Sequence, residues 1–245
     1  MDAQGKYPRK YGQVFLRDKN IAKLEARALG IEPGASVLEI GPGDGILTEA
    51  LLESGFLVTA VEADHRFAEL LPEKFPQYAM EGRLNVIKGD FLKYGPGKFD
   101  GIAGNIPYHI SSQVIFHLDD FIFKSAVMMV QLEFGKRLIA SPGTPEYSRL
   151  SVNAQIRYDI HLVRKVPRRL FSPPPEVDSL LVVLSPKPNI DRRNLIRADE
   201  ILKLLFSQRR KKIGKILPAS PQKYHDKRCG ELSPAELYDL AISAL

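Results

Sequence analysis

The chain has 245 residues, of which 44% are hydrophobic and 26% are charged, which is typical of one large soluble domain or of a medium domain with a small appendage. No apolar run is long enough for a membrane-spanning helix, and the polar first residues show no secretory signal. One cysteine, Cys229, and five scattered histidines exclude a disulfide framework and leave no zinc-site spacing. We therefore expect a cytoplasmic protein that holds no metal and does not enter a membrane.

Strands and helices are predicted to alternate along most of the chain. Asp18 is placed to cap a first helix that ends near Leu29, with Gly30 just beyond it. Strands that alternate with helices form a parallel sheet covered on both faces, so the pattern predicts an α/β fold of Rossmann-like form. The strands are predicted at Ser36–Ile40, Leu57–Val61, Leu84–Ile87, Asp100–Ala103 and Ala126–Gln131, and the helices at Ile46–Ser54, His65–Phe75, Ser111–Leu118 and from Glu133.

The last third of the chain has a different pattern. Two β-rich runs, Ile160–Val166 and Ser179–Leu184, flank a proline-rich stretch at 171–175 and could pair antiparallel at one edge of the sheet. A second proline-rich stretch at 186–188 has the character of a linker.

Two helical segments follow that linker. The first is predicted at Ala198–Leu217, and the second is opened by Ser233, with Pro234 and Glu236 completing a capping box. We therefore predict a catalytic domain at 1–186, which includes an N-terminal arm at 1–17, and a small helical domain at 187–245.

The positive charge is concentrated in one segment. Residues 187–215 contain ten Lys or Arg and three acidic residues, a charge of +7, so the rest of the chain carries −1 of the net +6. Four of these cations are consecutive, Arg209, Arg210, Lys211 and Lys212, and on a helix only part of such a cluster can face one groove. A basic segment on a nearly neutral body favours a polyanionic partner, although a solvated helical face is the alternative.

A glycine-rich turn follows the first predicted strand of the sheet. Gly41, Gly43 and Gly45 form a GxGxG pattern behind the acidic Glu39. The third glycine of a nicotinamide site and the Lys-Ser/Thr of a P-loop are both missing. The pattern is therefore typical of an S-adenosylmethionine (SAM) site, and a simple strand–helix turn is the alternative.

Two acidic residues end the next two strands. Glu62 lies 21 residues after Gly41, where a carboxylate can accept hydrogen bonds from both ribose hydroxyls of a nucleoside. Asp90 could hold the adenine amine, with Phe91 beside the ring. An aspartate after a strand also often caps a turn, so that alternative stays open for Asp90.

The most specific motif is Asn105-Ile106-Pro107-Tyr108, directly after the fourth strand. The amine of adenine is a poor nucleophile because its lone pair is delocalised into the ring. An Asn carbonyl and a backbone carbonyl that accept its two N–H bonds would favour a pyramidal nitrogen. Pro107 fixes the turn, and Tyr108 offers a ring on which a flipped-out base can stack, with Phe171 a candidate for the opposite contact.

With these motifs the sequence resembles the ribosomal RNA adenine dimethyltransferases that act on the small subunit. By resemblance, Leu16, Gly41, Glu62, Asp90 and Asn105 contact SAM. The family usually has Asn or His where this chain has Val14, so we expect a backbone contact there. The matching blocks are Gln13–Leu16, Glu39–Gly45, Glu62, Gly89–Asp90, Asn105–Tyr108, Phe171–Ser179 and Phe206–Ile213.

The resemblance implies an enzyme that converts two adjacent adenosines near the 3′ end of small-subunit rRNA to N6,N6-dimethyladenosine, and we expect it to be a monomer. Its partner would be that rRNA or a precursor of the small subunit. Two alternatives remain: a macrolide-resistance methyltransferase that modifies large-subunit rRNA, and a non-catalytic ribosome-assembly or transcription factor that has kept the fold.

Overall fold

The computed structural model of the protein describes residues 14–188 and 192–244, and its centre is a seven-stranded sheet. None of the helices in these ranges is both long and apolar enough to span a membrane. The strands are β1 Phe15–Leu16, β2 Ser36–Ile40, β3 Leu57–Glu62, β4 Leu84–Lys88, β5 Gly97–Lys98, β6 Gly101–Asn105, β7 Phe121–Ile122, β8 Ser125–Gln131, β9 Tyr158–Val166, β10 Phe171–Ser172 and β11 Ser179–Pro186. The α-helices are α1 Lys19–Ala28, α2 Ile46–Glu53, α3 His65–Lys74, α4 Pro76–Met80, α5 Ser111–His117, α6 Leu132–Leu138, α7 Arg149–Arg157, α8 Arg192–Ser207, α9 Ile213–Ile216 and α10 Pro234–Ser243.

The strand order in the large sheet is β4-β3-β2-β6-β8-β11-β9. The first five strands are parallel, and β11 pairs antiparallel with both β8 and β9. The α/β prediction and the antiparallel pair at one edge are therefore confirmed. Two small sheets accompany the large one, β1 with β10 and β5 with β7.

Alternate residues of the central strands supply two hydrophobic cores, one on each face of the sheet. In β8, Val127 and Met129 belong to the core beneath α1 and α2, and Ala126 and Met128 belong to the core beneath α5. All four side chains are at most 2% exposed. Both faces of the sheet are thus covered, as the alternation of strands and helices predicts.

The predicted caps of the first and last helices are present. The Asp18 carboxylate accepts hydrogen bonds from the Asn20 and Ile21 amides, at 2.8 and 3.2 Å, at the start of α1. Ser233 and Glu236 form a reciprocal capping box at the start of α10. These side chains satisfy amides that the first turn of each helix leaves without an intrahelical partner.

The prediction of one continuous helix over Ala198–Leu217 is wrong. Helix α8 ends at Ser207, and a turn separates it from α9, which begins at Ile213. The Ile213 amide donates to the Lys227 carbonyl at 2.8 Å, and Lys212 forms a β-bridge with Arg228. This pairing with the 227–228 segment replaces helical hydrogen bonds, so tertiary context overrides local helix propensity.

A third hydrophobic core joins the C-terminal helices to α7. It contains buried side chains from both sides of the predicted domain boundary, such as Val152 on α7, Leu202 on α8 and Leu237 on α10. The Tyr147 hydroxyl also donates to the Leu232 carbonyl at 2.8 Å. The C-terminal helices therefore pack on α7, and the division at residue 186 stays a prediction.

Two glutamates are fully buried between α1 and the sheet. Glu25 is 0% exposed, and neither of its carboxyl oxygens has a hydrogen-bond partner among the described residues. Burial raises its pKa well above the ordinary value, and the neighbouring Glu39 raises it further. Both groups are thus kept protonated in the folded protein to a higher pH than in the unfolded chain.

We predict that Glu25→Leu stabilises the protein, and by more at pH 8 than at pH 5. A carboxyl whose pKa is raised by folding lowers stability as the pH rises above the unfolded value of 4.5. Removal of an unpaired buried polar group is also worth about 1–3 kcal/mol. Denaturant unfolding at the two pH values measures the effect, with Glu32→Leu at an exposed position as control. An equal change at both pH values would contradict this assignment.

Candidate active site

Four of the predicted site residues come together at one edge of the sheet. Gly41 follows β2, Glu62 ends β3, Asp90 follows β4 and Asn105 ends β6. These strands are adjacent and parallel, so their carboxyl ends meet at the same edge, where open α/β sheets bind ligands.

The glycine turn is held against Glu62 by hydrogen bonds. The Gly43 and Asp64 amides donate to the two Glu62 carboxyl oxygens at 2.9 and 2.7 Å, and the Gly41 amide donates to the Val61 carbonyl at 2.9 Å. Gly41 has φ 63°, a conformation that side chains rarely adopt, and nothing lies within 4 Å of where its Cβ would be. The backbone there is open to a ligand.

The Glu62 carboxylate is suited to accept further hydrogen bonds. It is 7% exposed, and burial raises its pKa while the bonds from Asp64 and Gly43 limit the rise. Each carboxylate oxygen has about two acceptor positions; the Gly43 and Asp64 amides take one on each Glu62 oxygen, and the Ala63 amide makes a weaker contribution that also lowers the pKa. A second position on each oxygen therefore remains for ligand hydroxyls.

Glu39 lies on β2, just before the glycine turn, and is buried in the core. Its carboxylate is 1% exposed and accepts a hydrogen bond from the Thr48 hydroxyl at 2.7 Å. Burial raises the pKa of Glu39 to about 8, and the Thr48 bond opposes that rise. Glu39 thus joins the end of β2 to α2 from inside the core.

Asp90 and Phe91 lie in a turn after β4. One Asp90 oxygen accepts a hydrogen bond from the Leu92 amide at 3.0 Å. Asp90 therefore caps a turn, which is the alternative that the sequence left open. The residue is exposed. The Phe91 ring is 4% exposed and stacks on Phe121 at a centroid distance of 5.5 Å. Packing of this ring in the core leaves Phe91 little surface for a ligand.

The Asn105–Tyr108 segment carries an unsatisfied acceptor. The side-chain carbonyl oxygen of Asn105 is buried and has no hydrogen-bond partner among the described residues. The next residues are fixed, because the Ile106 amide donates to the Met129 carbonyl at 3.1 Å and the Ile110 amide donates to the Pro107 carbonyl at 3.1 Å. A buried acceptor without a partner costs about 1–3 kcal/mol, so a held Asn105 oxygen is suited to an N–H donor from a ligand.

The Tyr108 ring is fixed by a residue that motif reasoning did not single out. Its hydroxyl lies 2.9 Å from the Ser179 hydroxyl at the start of β11. Burial raises the pKa of the Tyr108 phenol, so its hydroxyl stays protonated. Ser179 closes the Phe171–Ser179 block, and only the tertiary fold brings that block to Tyr108.

The N-terminal segment lies across the glycine turn. Leu16 is 2% exposed and pairs with Phe171 of β10, and Val14 packs on the same core. A Cβ on Gly43 would lie 3.0 Å from the Phe15 ring. Gln13, which begins the matching block, lies outside the described residues.

An ion pair also joins the N-terminal segment to the glycine turn. The Arg17 guanidinium lies 2.6 Å from the Asp44 carboxylate inside the glycine turn, and the Arg17 amide donates to the Leu170 carbonyl at 2.8 Å. Arg17 therefore connects the glycine turn to the strand that carries Phe171.

The basic residues lie in the turn between α8 and α9. Arg209 donates to the Thr144 and Pro145 carbonyls at 2.9 and 3.1 Å, and Lys212 pairs with Asp226 at 2.8 Å. Arg210 and Lys211 are exposed.

The arrangement fits a SAM-type nucleoside. An open glycine backbone, a carboxylate with acceptor positions left over and an unsatisfied Asn105 oxygen lie along the same strand ends. Within the part of the chain that the structure describes, no three His, Cys, Asp or Glu side chains cluster so that they could hold a metal ion.

Comparisons with known proteins point to one family. The family model "Ribosomal RNA adenine dimethylase" matches residues 5–231. A "Ribosomal RNA small subunit methyltransferase A" of Chlorobaculum parvum is 41% identical over 211 residues, covering 83% of this chain and 74% of that protein.

Two solved structures share most of the fold. A dimethyladenosine transferase from Plasmodium falciparum has a TM-score of 0.79 and 30% identity, covering 92% of this chain and 95% of that one. The 23S rRNA methyltransferase ErmE has a TM-score of 0.72 and 29% identity, covering 94% and 99%. The resemblance read from the sequence motifs is therefore confirmed, and the chain belongs to the ribosomal RNA adenine dimethylase family of SAM-dependent methyltransferases.

Proposed function

We propose that the protein transfers methyl groups from SAM to the N6 amines of two adjacent adenosines near the 3′ end of small-subunit rRNA, as a step in small-subunit biogenesis. The observation that carries the proposal is the buried, unsatisfied Asn105 oxygen beside the glycine turn. The small-subunit methyltransferase names of the relatives at 36–41% identity support the choice of RNA.

The cofactor would lie along the carboxyl ends of β2, β3, β4 and β6. Glu62 accepts hydrogen bonds from the ribose, Asp90 accepts from the adenine amine, and the glycine backbone passes beside the methionine part. When bound, SAM supplies a methyl group on a sulfonium, which is an activated leaving group. The proposed contacts come from Val14, Leu16, Gly41, Gly43, Glu62, Asp90 and Asn105, and Phe91, which packs on Phe121, would contribute only the small part of its surface that stays exposed.

The chain's own residues would prepare the amine. The Asn105 side-chain oxygen and the Ile106 carbonyl accept the two N–H bonds of the target adenine, which localises the nitrogen lone pair and aims it at the methyl group. Tyr108 and Phe171 hold the flipped-out base, and Pro107 fixes the turn. SAM, when bound, would supply the methyl group to this nitrogen, and the amine held by Asn105 and Ile106 would then lose one proton to water.

The two alternatives differ from this proposal in the RNA that is modified and in whether the protein catalyses a reaction. ErmE shares the fold at 29% identity, so the fold does not separate a small-subunit enzyme from a large-subunit one. A non-catalytic factor would have no need for an unsatisfied Asn105 oxygen. The names of the relatives therefore favour the small-subunit enzyme.

We also propose that Arg209, Arg210, Lys211 and Lys212 position the RNA through its phosphates, which fixes register without reading bases. We further propose that the protein acts as a monomer. Cys229 is a free, buried thiol, which is compatible with the reducing cytoplasm. The proposed domain division remains 1–186 and 187–245.

Analysis of the reaction product tests the proposal. Unmodified small-subunit particles or rRNA, incubated with the protein and excess SAM, should give two adjacent N6,N6-dimethyladenosines by mass spectrometry. Each monomethylated amine retains one N–H and a lone pair, so the second transfer uses the same pocket. Modification of large-subunit rRNA alone, or only monomethyladenine, would contradict the proposal.

We predict that Asn105→Ala removes most turnover while RNA and SAM still bind. The side-chain oxygen acts on the amine in the transition state, so its loss lowers the rate more than RNA affinity. Single-turnover methylation measures the rate, and RNA affinity is measured in parallel. A near-normal single-turnover rate would exclude the proposed amine activation.

We predict that Glu62→Ala weakens SAM binding by about 1–3 kcal/mol, the range for loss of hydrogen bonds to a charged group. Calorimetry without RNA measures the affinity. Glu69→Ala serves as a control, because Glu69 is an exposed carboxylate on the nearby α3. Equal SAM affinity in the two variants would remove Glu62 from the site.

We predict that Arg210→Ala weakens RNA binding and leaves SAM binding unchanged. Arg210 is exposed, whereas Arg209 donates to two backbone carbonyls, so replacement of Arg210 leaves the turn intact. The slope of log affinity against log salt should become shallower by about 0.7–0.9 for one lost phosphate contact. Lys98→Ala, which removes an exposed charge in β5, is the control, and a wild-type slope in Arg210→Ala would indicate a merely solvated side chain.

A further inference from the structure

A cavity lies between the catalytic sheet and the C-terminal helices, outside the proposed SAM site. It has a volume of about 370 Å³ and is lined by α5, α6, α7 and the end of α8. We call it the arginine cavity, because three arginines line it together with two serines, two phenylalanines and one leucine. Six of these eight residues bear on what the cavity can bind: Ser112, Phe116, Arg137, Arg149, Phe206 and Arg209.

The arginine cavity keeps most of its positive charge. Arg149 has a carboxylate partner, Asp199, at 3.7 Å, and Asp199 also accepts from the Asn153 amide at 2.9 Å. Among the described residues, no carboxylate lies within 4 Å of the Arg137 or Arg209 guanidinium. Three guanidinium groups and one carboxylate leave a charge of +2.

Part of the cavity wall is fixed before any ligand arrives. Arg209 donates to the Thr144 and Pro145 carbonyls, which orient its guanidinium without neutralising it. The Phe206 ring packs edge-on against Tyr147 at a centroid distance of 6.2 Å. A fixed wall lowers the conformational entropy that the protein's own side chains lose when a ligand binds.

This chemistry selects a phosphate-bearing ligand. Guanidinium groups bind phosphate through two parallel hydrogen bonds, and their charge is concentrated by a concave surface. Aromatic rings in the wall give a nucleotide base or sugar a surface to pack against. The volume is within the range of roughly 300–1,000 Å³ that accommodates small ligands, and so suits one nucleotide rather than a helix.

The position of the cavity connects it to the methylation site. Ser112 lies in the first turn of α5, which directly follows the short 3-10 helix Tyr108–Ile110, and Arg209 begins the basic turn between α8 and α9. We propose that the arginine cavity binds a backbone phosphate, with its nucleotide, of the rRNA strand whose target adenosine occupies the active site. This inference rests on the proposed function and assigns its RNA a defined subsite.

Arg137→Ala is the most direct variant. Arg137 is exposed and has no ion pair in the described chain, so its replacement leaves the fold intact, whereas Arg149 and Arg209 make structural contacts. We expect affinity for a 3′-terminal fragment of small-subunit rRNA to fall about tenfold and the salt slope to fall by about 0.7–0.9. Arg137→Lys should keep the slope but lose part of the affinity, since an ammonium group cannot bind phosphate bidentately.

The matched control is Lys136→Ala, which removes the same charge from the neighbouring position of α6. Lys136 pairs with Glu133 at 3.0 Å and does not line the cavity. We expect near wild-type RNA affinity for this variant and unchanged SAM affinity for all three. Equal losses of RNA affinity in Arg137→Ala and Lys136→Ala would show that the effect comes from overall charge, and would overturn the proposed subsite.

Photocrosslinking locates the RNA independently. The native Cys229 is buried, so a photocrosslinker can be attached selectively to Ser112→Cys inside the cavity and, as control, to Gln77→Cys on α4. We expect more RNA crosslinks from Ser112→Cys than from the control. We also expect that millimolar AMP or inorganic phosphate does not reduce these crosslinks. Displacement by AMP or phosphate would identify a small-ligand site and overturn the RNA assignment, as would crosslinking equal to the control.

The two proposals fail separately. Wild-type protein that methylates small-subunit rRNA while Arg137→Ala binds RNA normally would overturn the cavity alone. RNA crosslinks from Ser112→Cys, together with wild-type protein that methylates no small-subunit adenosine, would overturn the proposed function alone.

Discussion

The site depends on one carboxylate that holds two strand ends together. Glu62 ends β3 and accepts hydrogen bonds from the Gly43 amide, beyond the end of β2, and from the Asp64 amide. This bridge acts together with the Gly41–Val61 hydrogen bond to fix the glycine turn, in which Gly41 and Gly43 both have positive φ. A buried carboxylate retains its charge only when it is well hydrogen-bonded, so the bridge also keeps Glu62 an acceptor.

The substrate side of the pocket is built on the same framework. Leu16 pairs with Phe171, and Arg17 joins Asp44 of the glycine turn to the backbone at Leu170. Tyr108 is in turn held by Ser179 at the start of β11. The residues proposed for SAM and those proposed for the base are therefore coupled through backbone pairing and one ion pair.

The sequence allows prediction of the sheet and of its ligand-binding edge, because both follow from local patterns. Strand hydrophobicity, the glycines and the acidic residue after each strand are short-range signals, and the bounds of β2 match the prediction at Ser36–Ile40. Contacts between segments that lie far apart in the sequence cannot be predicted from such local patterns. Neither the Tyr108–Ser179 hydrogen bond nor the packing of Phe91 on Phe121 has a local signal. The end of α8 at Ser207 was mispredicted because pairing with residues 227–228 determines it.

A crystal structure of the protein with SAM bound tests the central claim most directly. The account predicts that both ribose hydroxyls lie within hydrogen-bond distance of the Glu62 carboxylate while the Gly43 amide keeps its bond to the same group. It also predicts that the methyl group points toward the Asn105 side-chain oxygen. A ribose held elsewhere, or a glycine turn that leaves Glu62 on binding, would contradict the account.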